Sequence, residues 1–166
     1  MLDFTQARIG NGLAVSLRPA DLHQVAARTI EELWLAYPSR TILHDALGSG
    51  ECTLDRDRLS QVICNLVSNA VSYGHTTEPI LVRSEVHGAI AQLNVHNEGR
   101  AIPNELLTKI FEPMVRGAPG STSVRSVGLG LFIVREIARA HRGEMNVESS
   151  DTDGTTFSMR FPSSLV

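Results

Sequence analysis

The chain has 166 residues, 42% of them hydrophobic and 20% charged, which suits one globular domain able to bury roughly two-thirds of its unfolded surface. A formal net charge of −3 and a pI near 6.0 exclude a global positive field for nucleic acid, and no run of like charge suggests a tail for a membrane surface. No stretch approaches the roughly 18 apolar residues of a membrane span, and the amino terminus lacks a charged-then-apolar signal pattern. The expectation is a cytoplasmic domain with no direct membrane contact, even if its full-length protein is membrane-anchored.

In chain order, MLDFTQARIG reads as the end of a helix, stopped at Gly10-Asn11-Gly12. After a short LAVSL run, Asp21 is placed to cap a helix whose apolar residues Leu22, Val25, Ala26, Ile30, Leu33 and Trp34 repeat at helical spacing up to Tyr37-Pro38. TILHDAL and ECTL are short β-like runs. Asp55 then precedes a helix with Leu59, Val62, Ile63, Leu66, Val67, Ala70 and Val71 on one face, ended by Gly74. Cys64 lies within it, where a small buried thiol is the common case, and it is too far from Cys52 for a metal knuckle.

PILVRSEV and AIAQLNVHN form two probable strands joined at His87-Gly88 as a hairpin. A short helix is expected around Glu105 to Phe111, followed by a loop, PMVRGAPGSTSVRSVG. That loop opens the helix LGLFIVREIARAH, and GEMNVESS with GTTFSMRFP makes a terminal hairpin. The order is α+β with neighbouring antiparallel strands, which predicts a mixed sheet carrying its helices on one face.

Within the Asp55 helix, Gln61, Asn65, Ser68, Asn69 and Ser72 form a polar stripe. Residues four apart stack along a helix, so Asn65 and Asn69 offer two neutral amide oxygens to one small volume, and oxygen ligands suit a hard cation such as Mg²⁺. Alone the pair is weak evidence, because asparagines on a partly buried helix commonly satisfy neighbouring backbone groups. Gly128 and Gly130 stand where a loop becomes a helix, a place where backbone N–H groups favour anions. Between Pro113 and Arg135 lie Arg116, Arg125 and Arg135 with no acidic residue, which suits a triphosphate. VHNEGRAIP and DGTTF are each readable as ordinary strand-ending turns.

Taken in order, these segments resemble the catalytic ATP-binding domain of sensor histidine kinases, within the superfamily of DNA gyrase, heat-shock chaperone and MutL ATPases. QVICNLVSNAVSYG looks like the N box, NEGRAIP the first glycine box, KIFEPMVRG the F box, SVGLGLFIVREIARAH the second glycine box and GTTF the third. The resemblance runs from about Leu17 to Pro162. It implies the Bergerat fold, a two-layer α+β sandwich with a mixed, mostly antiparallel sheet, helices on one face and a flexible lid from about Val115 to Val127.

It also implies that Asn65, Asn69 and Arg116 are the catalytic set, with Asn69 and Asn65 on Mg²⁺ and Arg116 on the terminal phosphates. Tyr73 would lie against adenine, Asn97 would read its 6-amino group, and Gly99 would let the base approach. Ile102, Leu129 and Leu131 would join the ATP-binding set, with Gly128 and Gly130 offering backbone N–H groups and Thr155 ordering the adenine end through water.

Departures from the pattern sharpen this reading. Asn97 stands where Asp is usual, so the 6-amino contact loses charge assistance, about 1 kcal/mol. An amide free to flip could also donate to a 6-keto oxygen, which predicts weaker discrimination of ATP over GTP. Ser72 replaces a common phosphate-contacting Lys, Ser126 a lid glycine and Met114 a common Phe, which together imply modest ATP affinity. At position 65 the hydrolytic members carry a Glu that orients water, whereas Asn65 has no useful basicity, so fast ATP hydrolysis is not expected.

None of the six histidines, His23, His44, His75, His87, His96 and His141, begins the His-acidic-x-basic-x-Pro pattern of a phosphorylated helix. The expected acceptor lies upstream, with residues 1–12 the tail of a dimerisation and histidine-phosphotransfer helix pair and 13–166 the catalytic domain. That arrangement implies a monomeric isolated domain, a dimeric parent and a response regulator as the next phosphate acceptor. Two alternatives are a degenerate nucleotide-binding module that acts by docking alone, and a serine kinase of the anti-sigma-factor type, a group that carries Glu at the position of Asn65.

Overall fold

A computed structural model describes residues 12–113 and 122–164, with the backbone alone for 122–128. The tail expected over 1–12 therefore lies outside the described residues, apart from Gly12. The first regular element, β1 (Arg18–Asp21), leads directly into α1 (Leu22–Ala36). Asp21 caps that helix as expected, its Oδ1 accepting from the N–H groups of His23 at 2.8 Å and Gln24 at 3.2 Å. Next come β2 (Ile42–Gly48), β3 (Glu51–Leu54) and α2 (Arg56–Tyr73), which is capped by Asp55 through the Arg58 N–H.

The second half of the chain adds β4 (Ile80–His87), β5 (Ile90–Asn97), the short α3 (Asn104–Leu107), α4 (Thr122–Ala140), β6 (Glu144–Ser150) and β7 (Gly154–Pro162). Five strands form one open sheet in the order β2-β4-β5-β7-β6, and β1 pairs with β3 in a separate two-stranded ribbon. Only the β2–β4 pairing in the main sheet is parallel; the other three are antiparallel. This is the mixed, mostly antiparallel sheet expected from the alternation of the strands.

Alternation also fixes which face is covered. Ile80, Val82, Ser84 and Val86 of β4, Ala91, Leu93 and Val95 of β5, and Phe157, Met159 and Phe161 of β7 are all buried. Against that face lie α1 over β2 and β4, α2 over β4 and β5, and α4 over β6 and β7, with α2 packed between the other two helices. Leu66 and Ile63 of α2 and Leu131 and Ile137 of α4 are fully enclosed, each contributing about 1.5–3 kcal/mol of burial. The opposite face of β5, β7 and β6, away from the helices, is polar and carries a depression of about 340 Å³ lined by residues such as Gln92, Asn94, Asn146 and Ser158.

Three local expectations need correction. The helix read as starting at Leu129 begins at Thr122, because Thr122 to Val127 contains neither Gly nor Pro and continues in helical register into the apolar face of α4. Trp34, counted among the inward residues of α1, is half exposed, since its Nε1 donates to the Ile42 carbonyl at 3.0 Å and its ring stays at the surface. Cys64 is only partly buried against the core, whereas Cys52 is enclosed and its thiol is pushed up to about 11, chiefly by burial.

Candidate functional site

The polar stripe of α2 faces α4. Asn65 donates from Nδ2 to the Gly130 carbonyl at 3.3 Å, and a Cβ added at Gly130 would meet the Asn65 amide at 3.7 Å. Asn69, one turn further along, is 8% exposed, and its amide has no hydrogen-bond partner among the described residues. Its amide atoms are not among the enclosed side-chain atoms that lack a partner, so the group is not sealed from solvent. Both asparagines thus keep an amide oxygen that the described residues do not use.

Beyond the end of α2 the chain turns at Gly74 and meets the end of β5. Asn97 is 6% exposed, and its Nδ2 donates to the Glu98 carbonyl at 3.2 Å. The same carbonyl accepts from the His75 N–H at 2.8 Å. A Cβ at Gly74 would lie 3.0 Å from Asn97 Nδ2, and one at Gly99 would lie 3.1 Å from the Tyr73 carbonyl. Glycine at both places lets three backbone segments close on one side chain.

Thr155 pairs in register with Asn97 across β5 and β7, and its hydroxyl lies 2.7 Å from the Ser149 hydroxyl. Ser149 also accepts from the Ile102 N–H at 2.8 Å, and Asp151 Oδ1 accepts from the Ala101 N–H at 2.9 Å. The turn 99–102 is therefore fastened to the β6–β7 hairpin. Arg40 fastens the other side, donating from Nη1 to the Val71 carbonyl and from Nη2 to the His75 carbonyl, each at 3.0 Å. Arg40, Ser149, Asp151 and Glu98 were not singled out from the sequence, because each acts through backbone groups brought near only by the tertiary fold.

The structure brings Asn65 beside Gly130, and Asn97 beside Gly99 and Thr155, with Ile102 tied to Thr155 through Ser149. Tyr73, at the last turn of α2, is about half exposed. Leu131 is a core residue at 1% exposure, so its side chain is spent on packing, and Leu129 is half-buried. Gly128 and Gly130 sit inside α4 rather than at its first turn, so their N–H groups are committed to helix hydrogen bonds and do not form the helix-start anion site expected from the sequence. Arg135 lies over the Phe132 ring, 5.7 Å from its centroid, and so serves α4 itself. Of the lid expected from Val115 to Val127, residues 115–121, Arg116 included, lie outside the described residues, and 122–127 belong to α4.

Whether Mg²⁺ fits can be judged from the donors. Two open amide oxygens on adjacent turns suit a hard cation, yet no group of three or more His, Cys, Asp or Glu that could hold a metal occurs among the described residues. The protein supplies neutral ligands only, so the fit holds for a cation that brings its own anionic oxygens. Such an arrangement has the chemistry of a nucleotide–metal site.

Residues 54–165 match the family described as "Histidine kinase-, DNA gyrase B-, and HSP90-like ATPase". Among curated relatives, the chain is 33% identical over 163 residues to the bacteriophytochrome of Pseudomonas aeruginosa, covering 98% of this chain and 22% of that protein. It is 31% identical over 166 residues to sensor histidine kinase GlrK of Escherichia coli, covering 99% of this chain and 34% of that one. The chain thus spans about a fifth to a third of the length of these relatives. Among solved structures, the nucleotide-free catalytic domain of histidine kinase ThkA superposes with a TM-score of 0.77 at 25% identity, covering 90% of this chain and 99% of that domain. The chain belongs to the family of histidine kinase-, DNA gyrase B- and HSP90-like ATPases, on its sensor histidine kinase branch.

Proposed function

We propose that this domain binds Mg-ATP between α2, the amino-terminal half of α4 and the turn 97–102, and transfers the γ-phosphoryl group to a histidine on an upstream dimerisation helix. The observation that carries this reading is the pairing of Asn65 with Gly130 at one end of α2 and of Asn97 with Gly74, Gly99 and Thr155 at the other. Adenine lies at the buried Asn97 end, with Tyr73 and Ile102 against the base, and the phosphates lie along Asn69 and Asn65. When bound, Mg²⁺ neutralises phosphate charge.

In the transfer, a neutral imidazole nitrogen forms the new bond to the γ-phosphorus as the bond to the β–γ bridging oxygen breaks, and ADP leaves with that electron pair. The nucleophile needs no base within this domain, which matches the lack of basicity at Asn65. The residues orient the phosphate chain and exclude competing water, the two contributions that dominate phosphoryl transfer. Arg116 would add charge at the terminal phosphates. Residues 1–12 are read as the tail of the acceptor helix pair, the domain as a monomer in the cytoplasm, and an Asp on a response regulator as the later acceptor.

Calorimetric titration with a non-hydrolysable ATP analogue tests the reading directly. Because the protein's metal donors are neutral amides, Mg²⁺ alone should not bind, whereas Mg²⁺ with the nucleotide should bind more tightly than the nucleotide alone. Asn69→Ala should abolish that Mg²⁺ enhancement while leaving the metal-free binding nearly intact. No heat at millimolar nucleotide would move the assignment to a docking module with the kinase fold and no catalysis.

A further inference from the structure

The base-reading residue of the proposed site is an amide, and an amide can present either an acceptor or a donor. Its surroundings decide which. Asn97 Nδ2 lies 3.2 Å from the Glu98 carbonyl oxygen, which is itself held by the His75 N–H at 2.8 Å. Turning the amide over would set its oxygen against that carbonyl, replacing a hydrogen bond with contact between two acceptors. Nδ2 also faces the close approach of Gly74 and Gly99, and among the described residues its hydrogen bond goes to the Glu98 carbonyl.

Glu98 is in turn fastened from the polar face of the sheet. Its Oε1 lies 3.0 Å from His96 Nε2, and His96 Nδ1 lies 2.7 Å from the Thr156 hydroxyl. Neutral His96 satisfies both contacts when Nε2–H donates to the carboxylate and Nδ1 accepts from Thr156. The Glu98 side chain also crosses Gly154, whose missing Cβ leaves it room: one added there would meet Glu98 Oε2 at 3.1 Å. Glu98 is thus held at its main chain from the helix side and at its side chain from the sheet side.

We infer that Glu98 is a positioning residue for purine selection: anchored by His96, its main-chain carbonyl locks the Asn97 amide so that only the oxygen faces the base. This rests on the nucleotide reading above and reverses the weaker discrimination expected of an amide free to flip. A locked oxygen accepts from the 6-amino group of adenine and opposes the 6-keto oxygen of guanine. The substrate class is then 6-amino purine nucleotides, selected without the carboxylate usual at this position.

The test is a pair of titrations, with non-hydrolysable ATP and GTP analogues in Mg²⁺, on the wild type and on Glu98→Ala and Glu98→Gln. The wild type should favour the ATP analogue by about tenfold or more, as expected when a buried acceptor is left facing another acceptor. Glu98→Gln, whose side-chain oxygen still accepts from His96, should keep the ratio. Glu98→Ala should narrow it several-fold, by weakening the ATP analogue and strengthening the GTP analogue. Equal binding of the two analogues by the wild type overturns the lock, and so does a Glu98→Ala protein with an unchanged ratio or with both affinities reduced in proportion. Failure of both analogues to bind would overturn the nucleotide reading as well, which separates the two failures. Should Glu98→Ala not fold, His96→Leu removes the same anchor and is read by the same ratio.

Discussion

Gly154 shows how far one residue governs the Asn97 end of the proposed site. Its φ is +74°, and a Cβ there would come within 2.3 Å of the Asn97 carbonyl oxygen and 3.1 Å of the Glu98 Cα. The left-handed backbone alone costs an L-residue roughly 1–2 kcal/mol, and the overlap with rigid strand backbone adds to it. Gly154→Ala should therefore lower unfolding free energy by about 2 kcal/mol or more in urea denaturation. Because relief requires β5 and β7 to separate just where Asn97 pairs with Thr155, nucleotide affinity should fall further than in a variant of equal instability at Gly48, on the far edge strand β2. Equal affinity losses would mean that Gly154 serves the fold alone.

At the scale of elements, α4 offers a test of whether a glycine serves the helix or the proposed ligand. Gly130 lies in the helix interior, and a Cβ there would touch the Asn65 side chain at 3.7 Å, an ordinary contact. Gly130→Ala should raise stability by about 0.5–1 kcal/mol, the usual cost of glycine in a helix. It should also weaken binding of the Mg²⁺-nucleotide, since the methyl group occupies the space between α2 and α4. A thermal melt and a titration on the same variant give both readouts, and a stabilised variant with unchanged affinity would place the ligand elsewhere.

The elements themselves were unevenly legible in the sequence. Asp21 and Asp55 announced α1 and α2 because a side-chain cap is a local interaction, and β4 and β5 declared themselves by alternation. The start of α4 was hidden because Gly128 and Gly130 read as loop residues, whereas the helix runs through both from Thr122. β1, with the sequence Arg-Pro-Ala-Asp, has no strand pattern and exists only through its pairing with β3. The candidate site was legible only as residue types and their order along the chain. The contacts of Arg40, Glu98, Ser149 and Asp151 were not, since these residues act on backbone distant in sequence.

The molecule as a whole is tied together by two histidine contacts, one buried and one half-buried, and both set the same pH dependence. His141, just beyond α4, accepts at Nε2 from the Asp55 N–H at 3.1 Å and donates from Nδ1 to the Ile137 carbonyl at 2.9 Å, so it joins the end of α4 to the cap of α2 in its neutral form. Burial lowers its pKa, against the opposing effects of the Ile137 carbonyl and Asp55. His44 on β2 and His23 on α1 share the Ser84 hydroxyl, at 2.8 Å and 2.7 Å. Burial lowers the pKa of His44, and His23 lowers it further, against Asp45. In the unfolded chain both titrate near about 6.5, so between that value and their lower folded values the unfolded state binds more protons. Their stabilisation is fully present above pH of about 6.5 and is lost as pH falls through the folded values. The urea midpoint should therefore drop between roughly pH 7.5 and pH 5.5, and His141→Gln, which retains an acceptor for Asp55 but cannot charge, should show a shallower drop. An unchanged pH slope in that variant would remove His141 as a source, while a flat wild-type profile would mean that neither imidazole resists protonation in the folded state.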